Sequence, residues 1–125
     1  MLLLIDTVIL IWVLDNSPSL TDKTKKIIED AGRRLVSSIS ISEIEIMRSI
    51  GKLTIPDLYI EKIFESGFDE LSFDFDDAFG LRSLPLHHRD PFDRMLISQA
   101  AVKGLTILTD DTSFKKYNVS VLLSE

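Results

Sequence analysis

Short apolar runs alternate along the chain with longer segments whose apolar residues recur at helical spacing. "LLLI" (2–5), "RLVSSI" (34–39), "ELSF" (70–73), "LTILT" (105–109) and "VSVLL" (119–123) read as short strands, largely apolar on both faces. Between them lie segments with helix start and stop signals. "DTVILIWVLD" follows the first strand directly. "SLTDKTKKIIEDAG" has Thr21 to cap it, Lys25 and Glu29 four apart, and Gly32 to end it. "SISEIEIMRSIG" offers Ser40 as a cap and Gly51 as a stop. "DLYIEKIFESG" lies between Pro56 and Gly67, and "DFDDAFGLRS" is capped by Asp74. A last helix is expected over 91–103, with Gly104 past its end. Strands alternating with helices predict an α/β chain: a parallel sheet covered by helices on both sides. In such sheets the ligand crevice lies beyond the carboxyl ends of the strands.

The chain's 125 residues suit one domain, 1–125, and 45% hydrophobic residues supply a core. There are no cysteines, which excludes disulfides, thiolate metal sites and cysteine nucleophiles and suits a reducing, cytoplasmic setting. The apolar start has no basic residue ahead of it and is broken by Asp6, a poor match to a leader or a membrane span. A net charge of −6 argues against a generic nucleic-acid binder, but not against an enzyme that keeps acids in a metal site and bases on its rim.

The acids are the informative residues. Asp6 follows the first strand, Glu43 lies early in the helix after the second, and Asp110 and Asp111 follow the fourth. Asp90 and Asp93 open the helix that leads into the fourth strand. In a parallel sheet all these positions share the carboxyl edge. Carboxylates crowded there repel, by about 1 kcal/mol at ~4 Å in water and several times more at lower dielectric. Protonation, a basic partner or a cation relieves the repulsion, and hard oxygen donors favour Mg²⁺ or Mn²⁺. Each acid also has a structural reading. Asp90-Pro91-Phe92-Asp93 is a good helix start, Ser40 to Glu43 fits a capping box, and Asp110 and Asp111 suit a turn. Asp6 is the hardest to explain this way, since it stands between "LLLI" and "VILIW" and is costly to bury unpaired.

These residues resemble a known family. "LLLIDTVILIW", "VSSISISEIEI", "GKLTIP", "GFDELSF", "LPLHHRDPFDRMLISQA" and "GLTILTDDTSFKKYNVSVL" are together similar to PIN domains, and more closely to the VapC-like toxins of toxin–antitoxin pairs. The resemblance implies a three-layer α/β/α sandwich around a central, mainly parallel sheet of four to five strands. It also implies a ribonuclease using Mg²⁺ or Mn²⁺, with an acidic quartet at Asp6, Glu43, Asp93 and Asp111. Asp6 and Asp93 are the implied metal ligands. Glu43, Asp90 and Asp111 are further possible ones, Asp90 serving either as an acid or as the cap. Two positions depart from the usual pattern: Val8 stands where many relatives have His, and Met47 where many have Lys, with Glu45 adding an acid nearby.

Positive charge for RNA is offered by His87, His88, Arg89, Arg94 and Lys52. Against that, the adjacent histidines suit a loop, Arg94 suits pairing with a carboxylate, and Lys52 is an ordinary helix-end base. Thr7 and Thr109 are placed to hydrogen-bond an acid or to cap, and Trp12 reads as core. The resemblance further implies an antitoxin that presents a basic side chain to the quartet and an apolar helix to a groove, and a homodimer. Leu58, Tyr59, Ile63 and Phe64 give their helix a broad apolar face, most simply read as core. The rival readings are a catalytically silent binding module with the same fold, and a PIN nuclease outside any toxin–antitoxin pair. An aspartyl-nucleophile phosphatase needs Asp-x-Asp after the first strand, whereas Asp6-Thr7-Val8 stands here, and no phosphate-cradling glycine loop is present.

Overall fold

The computed structural model describes residues 1–124. Its five strands are β1 (Leu2–Ile5), β2 (Arg33–Ser37), β3 (Asp69–Leu71), β4 (Thr106–Thr109) and β5 (Ser120–Leu123). They form one all-parallel sheet in the order β3-β2-β1-β4-β5. The helices are α1 (Thr7–Asp15), α2 (Asp22–Asp30), α3 (Ser38–Ser49), α4 (Tyr59–Glu65), α5 (Phe75–Phe79) and α6 (Pro91–Lys103). Short 3₁₀ turns cover Gly80–Ser83 and Thr112–Lys116.

The central strands are apolar on both sides because both sides are covered. Leu3, Ile5, Val36 and Leu108 pack with Ile9, Leu10 and Ile28 of α1 and α2 and with Tyr59 and Ile63 of α4. Leu4, Leu35 and Ile107 point the other way, into a second core with Leu96, Ile97 and Ala100 of α6 and with Phe114 and Tyr117. The three-layer α/β/α arrangement follows from this alternation along β1, β2 and β4.

Element boundaries differ from the sequence reading in instructive ways. Ser40 is not the cap of α3. The helix begins at Ser38, capped by Ser37, whose Oγ accepts from the Ile39 N–H at 3.1 Å. Three serines in four residues gave the sequence several equivalent caps, and tertiary contacts chose the earliest. Ser40 is then fully buried and accepts a hydrogen bond from the Thr7 hydroxyl at 3.0 Å. No capping box therefore involves Glu43, which sits in the second turn. The helix expected from Asp57 starts only at Tyr59, with no side-chain cap. Its apolar face is only partly core: Tyr59 and Ile63 are buried, whereas Leu58 is 70% and Phe64 52% exposed. Asp74, Asp90 and Gly104 do cap their helices as expected, Gly104 in the left-handed region at φ 69°.

β1 is the strand at which connections change direction: β2 lies on one side of it and β4 on the other. Ligand crevices form at such switch points, beyond the carboxyl ends of the strands. Asp6 leaves β1 and Thr109 ends β4 at this place.

Candidate metal centre

Asp6 is the deepest acid. It caps α1, with Oδ1 accepting from the Ile9 N–H at 2.9 Å, and it is only 4% exposed. Its Oδ2 accepts a short hydrogen bond from the Thr109 hydroxyl, across the switch point. Thr109 Oγ1 in turn accepts from the Asp111 N–H at 3.0 Å, so one hydroxyl ties the two acidic segments together. Burial raises the Asp6 pKa to about 7. The Thr109 and Ile9 hydrogen bonds oppose that rise, and the charges of Asp110 and Glu43 add to it.

Asp93 lies one turn into α6, behind the Asp90 cap, whose Oδ1 accepts from the Phe92 N–H at 2.9 Å. Its pKa is also raised to about 7, first by burial and then by Asp90; His88 works against the rise, and Glu43 and Asp6 add to it. Glu43 is raised mainly by burial, with Thr7 opposing and Asp90 adding. The Thr7 hydroxyl has a single proton, which the geometry directs to Ser40, and Glu43 Oε1 is buried without a hydrogen-bond partner. Asp111 behaves differently. Burial pushes it up, but hydrogen bonds from Ser113 and then His88 outweigh burial and hold it below the usual carboxylate range.

Of the four acids named from the sequence, Asp6, Glu43 and Asp93 act on one another through charge, while Asp111 is joined to Asp6 through Thr109 and to Asp93 through His88. Among the described residues, Asp93, Asp111 and His88 bring ligand atoms within 4.8 Å of one another. Asp90 stands beside them as cap and extra charge. Asp110 is exposed but lies close enough to raise Asp6. The donor set suits a divalent cation: several hard carboxylate oxygens, one of them unpaired and buried, with the proton affinities of Asp6 and Asp93 raised first by burial and then by neighbouring negative charge.

The bases are arranged less simply. Among the described residues Arg94 forms no ion pair; its Nη1 donates to the Pro85 carbonyl at 3.0 Å and lies 3.4 Å from the Tyr117 hydroxyl, so it braces the loop before α6. Lys52 lies past the far end of α3, beyond Gly51, where its N–H turns back to the Met47 carbonyl. Arg89 is exposed at the loop's end, beside the acids in sequence. His87 is exposed, with its ring edge-on to Tyr117. His88 is the residue that sequence reasoning underrated. Its Nε2 stands 3.0 Å from both Asp93 Oδ2 and Asp111 Oδ2. The only available signal was the doubled histidine itself, since two neighbours must point in different directions.

The sequence profile of the family described as "PIN domain" matches residues 3–119, almost the whole chain. The chain belongs to the PIN domain family. No curated protein sequence matches this PIN chain significantly. Among solved structures, it is similar to VapBC2 from Rickettsia felis bound to a DNA fragment from their promoter, with a TM-score of 0.76, 17% identity and 98% of each chain covered. DNA-bound VapBC from Salmonella typhimurium gives a TM-score of 0.73 at 20% identity over 100% of both chains. A toxin–antitoxin complex from Klebsiella pneumoniae gives 0.68 at 18% identity, over 98% of this PIN chain and 97% of that one. At such identities the likeness establishes the fold.

Proposed function

We propose that this PIN chain is a metal-dependent endoribonuclease, the toxin of a toxin–antitoxin pair, which hydrolyses RNA phosphodiester bonds with Mg²⁺ or Mn²⁺. The observation that supports this reading is the charge coupling of Asp6, Glu43 and Asp93 beyond the switch point, with Asp6 and Asp93 raised to about 7 and Asp111 within 4.8 Å of Asp93. Asp6 and Asp93 would hold the ion. Glu43 and Asp111 would either bind it or orient the attacking water. Once bound, the ion supplies Lewis-acid stabilisation of phosphoryl charge and makes water a better nucleophile. Thr109 fixes the Asp6 carboxylate, and Arg89 on the rim would meet the RNA backbone.

The antitoxin part of the proposal rests on the toxin–antitoxin complexes among the structural neighbours and on an apolar groove. The groove, of about 340 Å³, runs between α3 and α4 and is lined by Val36, Ile41, Ile60, Ile63 and Phe64. An apolar partner helix would lie there, with a basic side chain reaching the acids. A homodimer belongs to the same proposal; Phe75 and Phe79, 94% and 63% exposed and four apart on α5, offer it an apolar face. Among the described residues, no helix is long and apolar enough to cross a membrane.

Purified protein incubated with structured RNAs in Mg²⁺, Mn²⁺ or EDTA tests the enzymatic claim. Cleavage is expected with either ion and not with EDTA, and Asp93→Asn should abolish it. Cleavage that survives EDTA or the substitution, or none under any condition, counts against it. The last result would favour the binding module.

A further inference from the structure

His88 stands between Asp93 and Asp111, and its surroundings say in what form. The backbone N–H of Asp90 donates to His88 Nδ1 at 3.1 Å. A neutral imidazole whose Nδ1 accepts carries its proton on Nε2. That Nε2–H hydrogen-bonds Asp111 Oδ2 at 3.0 Å and lies 3.0 Å from Asp93 Oδ2. Nitrogen and both oxygens fall within 4.8 Å of one another, the span a single cation would occupy. The residue is anchored through its backbone and its ring. The Tyr117 hydroxyl accepts from the His88 backbone N–H at 2.7 Å, Arg94 Nη1 lies 3.5 Å from the His88 carbonyl, and Phe114 packs edge-on at 5.9 Å.

A metal-ligating histidine presents a bare nitrogen to the ion and donates its other N–H to an acceptor. His88 is set up in the opposite sense. The group facing its Nδ1 is a donor, so the nitrogen facing the acids is protonated and has no lone pair for a metal. Turning the tautomer over would set the Nδ1 proton against the Asp90 N–H. One N–H thus fills the space beside Asp93 and Asp111 without neutralising their charge.

We propose that His88 is a built-in competitor of the divalent ion: it latches the metal-free centre by donating to Asp111 at the side of Asp93, and the ion must displace it to bind. This rests on the reading that the acids hold a divalent ion, but it concerns which residue opposes that ion. The latch is a property of the loop before α6, braced by Arg94 and Tyr117, so anything that moves this loop changes metal affinity.

Calorimetric titration with Mn²⁺ alone, on wild type, His88→Ala and Tyr117→Phe, tests the proposal. A hydrogen bond to a charged group that the ion no longer has to break predicts roughly tenfold tighter Mn²⁺ binding in His88→Ala. A smaller gain is expected in Tyr117→Phe, which keeps the ring but loosens its anchor. Pulsed electron paramagnetic resonance of the wild-type Mn²⁺ complex should show no imidazole nitrogen coupling. Equal or weaker binding in His88→Ala, or a clear nitrogen coupling in wild type, overturns the latch while leaving the metal centre standing. Failure of all three proteins to bind Mn²⁺ overturns both. If His88→Ala does not fold, Tyr117→Phe and the spectrum of the wild type decide.

Discussion

Asp90 and Asp93 sit three positions apart at the start of one helix and carry different burdens. Asp90 caps α6 through the Phe92 N–H, and its charge is the second-largest influence raising Asp93. The two effects separate by substitution. Asp90→Asn keeps the capping oxygen and removes the charge, so stability should change little while the Asp93 pKa falls. Asp90→Ala loses the cap as well and should cost about 1 kcal/mol. Denaturant melts of both variants, with a carboxyl NMR titration of Asp93, check the pair. An unchanged Asp93 titration in Asp90→Asn would show that the two carboxylates do not sense each other. The roles of these acids were only partly visible in the sequence. Asp6 stood out because a carboxylate between two apolar runs has no cheap structural explanation. Asp93 and Glu43 each fitted a cap equally well, and only the position of the α3 start removed that reading for Glu43. His88 was out of reach, because nothing in "HHRD" says which imidazole turns inward or that Asp90 lends it a backbone N–H.

Elements meet here through small residues whose importance spacing does not reveal. Gly80 follows α5, and a Cβ built on it would lie 2.7 Å from Ser98 Oγ and 2.9 Å from Val102 Cγ2 of α6. Its backbone is already right-handed helical, at φ −60°, so Ala would ordinarily gain about 0.4–1 kcal/mol there. Val102 is 45% exposed and can turn aside, but Ser98 is 1% exposed and donates to the Asp77 carbonyl at 2.6 Å. Overpacking should therefore win, and Gly80→Ala should lower stability by about 1–2 kcal/mol, read from the denaturant midpoint. A raised midpoint would mean that α5 sits loosely on α6. The sequence placed the helices well where a cap or stop was unique, as with Asp74, Asp90 and Gly104. It failed where several residues could serve, as at 37–40, and where no side chain caps at all, as before α4.

Across the whole molecule, the strand order does the work of assembly. β1 lies between β2 and β4, so Asp6 is carried to within hydrogen-bond reach of Thr109, 103 residues later. The alternation of strands and helices was enough to predict parallel strands and one acidic edge. It could not give the order of the strands, which depends on packing between distant segments. That order leaves Asp6 buried and Asp93 half-buried with like charges around them, and the consequence can be measured. Their folded pKa values stand near 7, above the ordinary 3.8, so the folded state binds the extra protons. The stability they lend is complete below about pH 4 and is lost as pH rises through about 7, at up to about 1.4 kcal/mol per pH unit per group.

The most direct test is the thermal midpoint from about pH 5 to about pH 8 in EDTA, compared with the Asp6→Asn/Asp93→Asn double variant, and repeated with Mn²⁺ at the upper pH. Wild type should lose stability relative to the variant as pH rises, and Mn²⁺ should restore it in wild type alone. A difference that stays flat or grows in favour of wild type with rising pH, with no response to Mn²⁺, would contradict a centre whose carboxylates need a divalent ion.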